Sequence, residues 1–288
     1  MKVFITGASG GIGEALAREY HRRFPASTIG LAARRADELA RVAAALAGAS
    51  VHRYRLDVTD RDALARAAAD FVGLDGAPPD VVIANAGISA GTLTGEPADA
   101  AVFRRIVDVN VTGMFDTFAP FVPGMRARGA GRLVGIASVA GIRGLPGAGA
   151  YSASKAATIA YLESLRVELR GSGVRVVTIA PGYIRTPMTE RNAYPMPFLT
   201  DADAFARRAL DAIARGDSYL VIPRPMGAVA LGLRVLPNWL FDRLFARAPR
   251  KRRAAGGGAE RAAEQGERAG MPPASDARPG AQGREVRR

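Results

Sequence analysis

The chain has 288 residues, 48% of them hydrophobic, enough to bury the core of one large domain or two small ones. It has no cysteine and only two histidines, His21 and His52, far apart. This composition excludes disulfides, thiolate chemistry and cysteine metal sites, and argues against a histidine-held metal or a histidine-activated serine. The formal net charge of +13 comes mainly from arginines spread along the whole chain. The only dense run is Arg250-Lys251-Arg252-Arg253, so no nucleic-acid partner is expected.

The chain opens directly on an apolar strand at 2–6, without a charged region ahead of an apolar stretch, so a cytoplasmic protein is expected. Apolar strand-like runs then alternate with alanine-rich helical stretches. Helices are predicted at 14–24, 36–47 and 60–72, with strands at 28–33, 51–56 and 81–85 between them. A long helix is predicted over 98–128, then a strand at 132–138 and a helix at 151–171 that ends on glycine. A strand at 174–180, a helix at 202–215 and a short strand at 218–222 complete the alternation. This order predicts an α/β fold over residues 1–222: one doubly wound parallel sheet of about seven strands with helices on both faces. The strands are apolar throughout, as strands covered on both faces are. Residues 223–249 form an apolar, amphipathic extension, and 250–288 a basic tail too poor in packable residues to fold.

Thr6-Gly7-Ala8-Ser9-Gly10-Gly11-Ile12-Gly13 joins the first strand to the first helix. Glycines there permit a tight turn and close backbone approach to a pyrophosphate, and the helix N-terminus offers free N–H groups and a favourable dipole. Further on, Tyr151 and Lys155 are four residues apart and share one helix face. A fixed ammonium beside a phenol favours the phenolate and lowers its pKa. Ser138, thirteen positions before Tyr151, is placed to hydrogen-bond a carbonyl oxygen that the phenol protonates. Lysine is rare here: Lys2, Lys155 and Lys251 are the only ones, so Lys155 stands out against the arginines.

Taken together, Gly7-x-x-x-Gly11-x-Gly13, Ser138, Tyr151 and Lys155 resemble the short-chain dehydrogenase/reductase family over residues 2–222. Asp57-Val58, Asn85-Ala86-Gly87, Asn110 and Pro181-Gly182 occur in the family's order and extend the resemblance. It implies a Rossmann-type domain that interconverts a carbonyl and an alcohol by hydride transfer with a nicotinamide cofactor and no metal. Tyr151 is then the general acid or base, and Lys155 lowers its pKa and holds the nicotinamide ribose. Ser138 polarises the substrate, and Asn110 positions a relay water, though a buried asparagine bonded to backbone is the alternative at that position. Gly7, Ser9, Gly11, Ile12 and Gly13 are implied to hold the phosphates. Asp57 and Val58 meet the adenine, unless Asp57 is a helix-flanking cap. Asn85, Ala86 and Gly87 flank the adenine ribose and nicotinamide side, while Pro181, Gly182, Ile184 and Thr186 close over the nicotinamide amide. The resemblance also implies a homodimer or homotetramer through the helices near 98–128 and 151–170.

The second strand ends Leu31-Ala32-Ala33-Arg34-Arg35, with no carboxylate before Asp37. An acid there would bond a ribose 2′-hydroxyl; Arg34, with Arg35, suits a 2′-phosphate and points to NADP(H). Substrate selection is expected from 139–150 and from a mobile, mostly apolar lid at 186–205 that includes Met188, Tyr194, Pro197 and Phe198. Such a lid suits a lipophilic ketone or aldehyde, with sugar-type and polyketide-like substrates left open. In 226–253, Trp239, Leu240, Phe241, Leu244 and Phe245 are bordered by Arg243, Arg247 and the basic run. That pattern fits a helix lying on an anionic membrane and equally one covering the pocket or meeting another subunit. A non-catalytic NADPH-binding regulator or scaffold is the contrasting functional class; its expected mark, loss of Tyr151 or Lys155, is not found.

Overall fold

The structure, a computed structural model, describes residues 1–190, 195–248, 251 and 253. Tyr194 of the expected lid, Arg250, Arg252 and the tail from 254 lie outside the described residues. The amino-terminal half runs β1 (Lys2–Thr6), α1 (Gly11–Arg23), β2 (Thr28–Ala33), α2 (Ala36–Ala44), β3 (Ser50–Arg55), α3 (Arg61–Gly73) and β4 (Val81–Ala84). The second half follows with α4 (Asp99–Val107), α5 (Gly113–Phe118), α6 (Val122–Arg128), β5 (Gly131–Ile136), α7 (Gly149–Glu168) and β6 (Val174–Pro181). After β6 come β7 (Ile184–Arg185), α8 (Pro187–Glu190), β8 (Thr200–Asp201), α9 (Ala202–Arg215), β9 (Tyr219–Ile222), α10 (Arg224–Val235) and α11 (Asn238–Phe245).

Seven strands form one parallel sheet in the order β3-β2-β1-β4-β5-β6-β9, with β7 and β8 paired separately. The two-residue period of a strand sorts side chains between two cores. Val3 and Ile5 of β1 join Leu16, Tyr20, Phe205 and Leu210 from α1 and α9 on one face. Phe4 points the other way, into Leu64, Phe71, Phe118, Leu162 and Leu165 from α3, α5 and α7. The doubly wound sheet expected from the alternation is therefore present. The strand order reverses between β1 and β4, and in open α/β sheets the crevice at such a switch, outside the strands' carboxyl ends, is where ligands bind.

The single long helix expected over 98–128 is three helices. Pro120 has no N–H to donate, and Pro123 sits in the first turn of α6, where a missing N–H costs nothing. Between α4 and α5, Asp108–Thr112 forms a π-helical turn. Its fully buried Asn110 uses its amide on neighbouring chain segments, so the bulge serves packing rather than helix continuity. The extension past β9, expected from its pattern to carry an amphipathic helix, forms two, α10 and α11, separated at Leu236-Pro237.

Candidate active site

At the carboxyl end of β1, the chain turns through Gly7, whose φ is +66°, into α1. A Cβ at Gly13 would lie 2.3 Å from the Gly7 carbonyl oxygen, so helix and turn meet at a distance only glycine permits. Asn85, at the end of β4, braces this turn. Its Nδ2 donates to the carbonyls of Thr6 at 3.0 Å and Gly7 at 3.2 Å, while its N–H donates to Thr6 Oγ1 at 3.2 Å. No side chain caps the start of α1, which leaves the first-turn N–H groups free to meet an anion. Thr186 closes the far side, its methyl 3.3 Å from where a Gly11 Cβ would be.

The remaining residues expected at the cofactor divide into those that face the crevice and those that support it. Arg34 is exposed at the end of β2, 3.7 Å from Asp57. Arg35 instead turns inward, donating from Nη2 to the Ser9 carbonyl and hydroxyl, both at 3.1 Å, so it buttresses the glycine loop. Asp57 accepts from the Thr59 N–H at 3.0 Å and hydroxyl at 2.9 Å and pairs with Arg105. It is not the cap of α3; Asp60 is, accepting from the Ala63 N–H at 2.9 Å. Burial raises the Asp57 pKa, but the Thr59 and Arg105 bonds outweigh it and leave the carboxyl below its ordinary value. Val58 and Ile184 put their side chains into the two cores, Ala86 packs on one of them, and Ile12 lies partly buried against the other. The Gly182 N–H donates to Ile222 across the end of the sheet at 2.8 Å, with Pro181 beside it closing β6.

Ser138 follows β5, and Tyr151 and Lys155 face it from α7. The Ser138 hydroxyl accepts from the Ala140 N–H at 3.1 Å and is hydrogen-bonded to the Tyr151 phenol. Lys155 is buried, its Nζ 6.0 Å from the Tyr151 ring centroid and donating to the Ile136 carbonyl at 2.7 Å. Gly87 leaves room for this ammonium: a Cβ there would stand 3.6 Å from Nζ and 3.3 Å from Asn110 Oδ1. Asn110 Oδ1 accepts from the Ile88 N–H at 2.8 Å, and its Nδ2 donates to the Ile88 carbonyl at 3.0 Å and to Ser154 Oγ at 2.9 Å. Its amide thus ties the loop after β4 to α7, the backbone-bonded alternative for this residue. The phenol differs from the sequence expectation. Burial raises its pKa, and the Ser138 bond only partly offsets that rise. For Lys155, burial lowers the pKa to about 8.

Next to Ser138 opens an apolar cavity of about 200 Å³. Its walls are Val139, Ala140, Ile142, Arg143 and Leu145 after β5, Tyr183, Pro197, and Met226, Val229, Ala230, Leu233 and Phe245 from α10 and α11. The expected lid at 186–205 contributes only Pro197 among its described residues, while Met188 and Phe198 are exposed. The sequence underrated two residues here. Arg143 Nη1 donates to the carbonyls of Leu233 at 2.7 Å and Leu236 at 2.6 Å, and its guanidinium lies 4.2 Å over the Phe241 ring. It thereby caps the end of α10 and pins α11 over the cavity. Lys251, assigned from sequence to a basic tail, lies 5.3 Å from the Tyr151 ring centroid. Its one available signal was the rarity of lysine in this chain. Leu231, Val235, Trp239 and Leu244 remain exposed on α10 and α11, and no helix among the described residues is long and apolar enough to cross a membrane.

Comparison with known proteins agrees with this geometry. A sequence model of the family described as short chain dehydrogenase matches residues 1–195. A Myxococcus xanthus protein named an uncharacterized oxidoreductase is 41% identical over 241 residues, covering 83% of this chain and 93% of its own length. A cis-4-hydroxycyclohexanecarboxylate dehydrogenase from Sinomonas cyclohexanicum is 36% identical over 215 residues, covering 73% of this chain and 82% of its own. The crystal structure of a 3-oxoacyl-(acyl-carrier protein) reductase from Brucella melitensis superposes with a TM-score of 0.68 at 32% identity, over 77% of this chain and 89% of that one.

Proposed function

The chain belongs to the short-chain dehydrogenase family and is an oxidoreductase of that family; from that premise we propose that it uses NADP(H) to reduce the carbonyl of a small, largely apolar molecule to an alcohol. The observation that carries this reading is Ser138, Tyr151 and Lys155 meeting at the carboxyl edge of the sheet, with an apolar cavity opening at Val139 and Ala140 just past Ser138. The glycine cradle and the free N–H groups of α1 fit a dinucleotide's phosphates, held by Gly7, Ser9, Gly11, Ile12 and Gly13. Arg34 is exposed, with Asp57 3.7 Å away as its ion-pair partner, and can turn to a 2′-phosphate, while the end of β2 itself carries no carboxylate for a 2′-hydroxyl, which supports NADP(H) over NAD(H). Arg35 supports the cofactor through the loop. Asp57 and Val58 border the adenine, Asn85, Ala86 and Gly87 the ribose side, and Pro181, Gly182, Ile184 and Thr186 the nicotinamide amide. The bound cofactor supplies hydride.

The protein's own residues manage the proton. Ser138 accepts from Ala140, so its hydroxyl hydrogen is available to the phenol or to a carbonyl oxygen. Tyr151, with its pKa raised by burial, keeps its proton at neutral pH and donates it as the carbonyl is reduced. Lys155 is poised to return a proton to the phenolate, because burial makes its ammonium a readier donor than a free lysine. Asn110 fixes the loop that borders this pair. The apolar walls favour a lipophilic ketone or aldehyde over a sugar. Exposed Phe103, Phe115 and Val167 on α4, α5 and α7 support assembly with further copies of the chain. The outward apolar residues of α10 and α11 support a peripheral membrane contact as a further reading, tested by liposome co-sedimentation of Trp239→Ser with Leu231→Ser against wild type.

Oxidation of NADPH and NADH against a panel of short, long-chain, cyclic and sugar carbonyls tests the main reading. Tyr151→Phe is expected to lower kcat about 10²- to 10⁴-fold while NADPH still binds. Turnover that survives in Tyr151→Phe, or none with any carbonyl despite tight NADPH binding, overturns it.

A further inference from the structure

The last described residues of the chain return to the phenol. Arg253 bridges main chain to main chain with Gly91 in the loop after β4. Its guanidinium pairs with Asp99 (Nε to Oδ2, 2.9 Å) and Glu96 (Nη2 to Oε2, 2.9 Å). Asp99 is buried at the start of α4 and also accepts from the Leu93 N–H at 2.8 Å. That N–H, then Arg253, hold its carboxyl below the ordinary range, so the anchor is ionic. An anchor two residues away fixes Lys251. Lys251 Nζ donates to Ser89 Oγ at 2.6 Å and lies 5.3 Å from the Tyr151 ring centroid.

Among the described residues no carboxylate pairs with this ammonium; its partners there are a hydroxyl and the face of a ring. Burial lowers its pKa, as expected of an ammonium whose partners among the described residues carry no negative charge. A partly desolvated cation without a counter-ion is costly, and an arriving anion removes that cost. The cavity that opens past Ser138 is mostly apolar, and its one charged wall residue, Arg143, is engaged by the carbonyls of Leu233 and Leu236, which leaves Lys251 beside the phenol as the cation open to an anion. One ammonium beside one hydroxyl suits a group of single charge, whereas phosphate is usually met by several donors or an arginine fork.

We infer that Lys251 and Ser89 form a carboxylate subsite, and that the substrate is an oxo-acid whose apolar part enters the cavity while its carboxylate, a few bonds from the reacting carbonyl, meets Lys251. This rests on the carbonyl-reductase reading and deepens it. Lys251 is a specificity residue delivered by the carboxyl-terminal segment, with Arg253, Glu96 and Asp99 as its positioning set.

The test uses the full-length protein saturated with NADPH. Levulinate, its longer oxo-acid homologues and an acetylbenzoate are each titrated calorimetrically against the corresponding methyl ester. Wild type is expected to favour the acid, and Lys251→Met to reduce the acid-to-ester affinity ratio about 10- to 100-fold. Lys251→Arg, which keeps the charge, retains the preference for the acid. Arg253→Ala, which frees the anchor, shifts the ratio in the same direction as Lys251→Met by a smaller factor and serves if Lys251→Met does not fold. Equal affinity for acid and ester in wild type, a ratio unchanged in Lys251→Met, no binding of any acid, or a loss confined to NADPH overturns the subsite. Ester turnover that requires Tyr151 keeps the reductase reading standing even then.

Discussion

The two sides of the crevice are built by different means. On the proposed cofactor side, at the ends of β1 and β4, position is set by missing atoms and main-chain bonds. Gly13 clears the Gly7 carbonyl, Asn85 grips two carbonyls, and Arg35 ties down Ser9. On the proposed substrate side, the walls are mostly apolar side chains after β5 and on α10 and α11, the helices held over the cavity by Arg143. The first side is intolerant of a single added carbon. The second tolerates changes of shape and answers them with changes of preference. Relatives with the same chemistry and different substrates are what such a division permits.

The sharpest way to break this comparison is Gly13→Ala. The added Cβ meets a main-chain oxygen that cannot swing aside, so NADPH affinity is expected to fall about 10- to 100-fold. Fluorescence titration checks it; near-normal affinity would show that the loop can relax and that the two sides are not so different. Arg34→Ala follows, with the NADPH-to-NADH preference expected to fall about tenfold from loss of a charge-assisted contact, read as the ratio of kcat/KM values. An unchanged ratio would move 2′-phosphate recognition away from Arg34. On the other side, Leu233→Ala should lower kcat/KM for the bulkiest accepted ketone about fivefold through lost apolar contact, while NADPH affinity is unchanged. An equal effect on both ligands would join the two sides into one unit.

The same division explains what could be read from the sequence. The glycine loop and the Tyr151–Lys155 pair are local patterns, set by a turn and by helix spacing, so their places were legible before any fold was known. The alternation of apolar strands with helices gave the sheet for the same reason. What could not be read is long-range. Arg143 caps a helix ninety residues further on, through the Leu233 carbonyl. Lys251 lies beside Tyr151 in a segment that Arg253 ties to Asp99 and Glu96, 154 and 157 residues earlier in the chain. Ile184 and Val58 look like cofactor neighbours in a motif, yet the packing of β7 and of α5 takes their side chains into the cores. The raised pKa of Tyr151 was equally hidden, because spacing reveals a nearby ammonium but not the burial that outweighs it.

Lys155 lies where the two sides meet, and its titration gives the most specific effect, read in stability rather than in activity. Burial holds its folded pKa at about 8, below the free value of 10.5. Below pH 8 both folded and unfolded chains carry the proton, and the full cost of a buried ammonium weighs on the fold. As pH rises from 8 towards 10.5, the folded protein releases its proton first, and the cost is progressively relieved. Wild-type stability relative to Lys155→Met should therefore increase with pH across that window, by about 3 kcal/mol. Urea unfolding of both proteins without cofactor, at pH values on either side of 8, measures the difference. A flat difference would mean that the ammonium is solvated or compensated in the folded chain, and the proton return assigned to Lys155 would lose its physical basis.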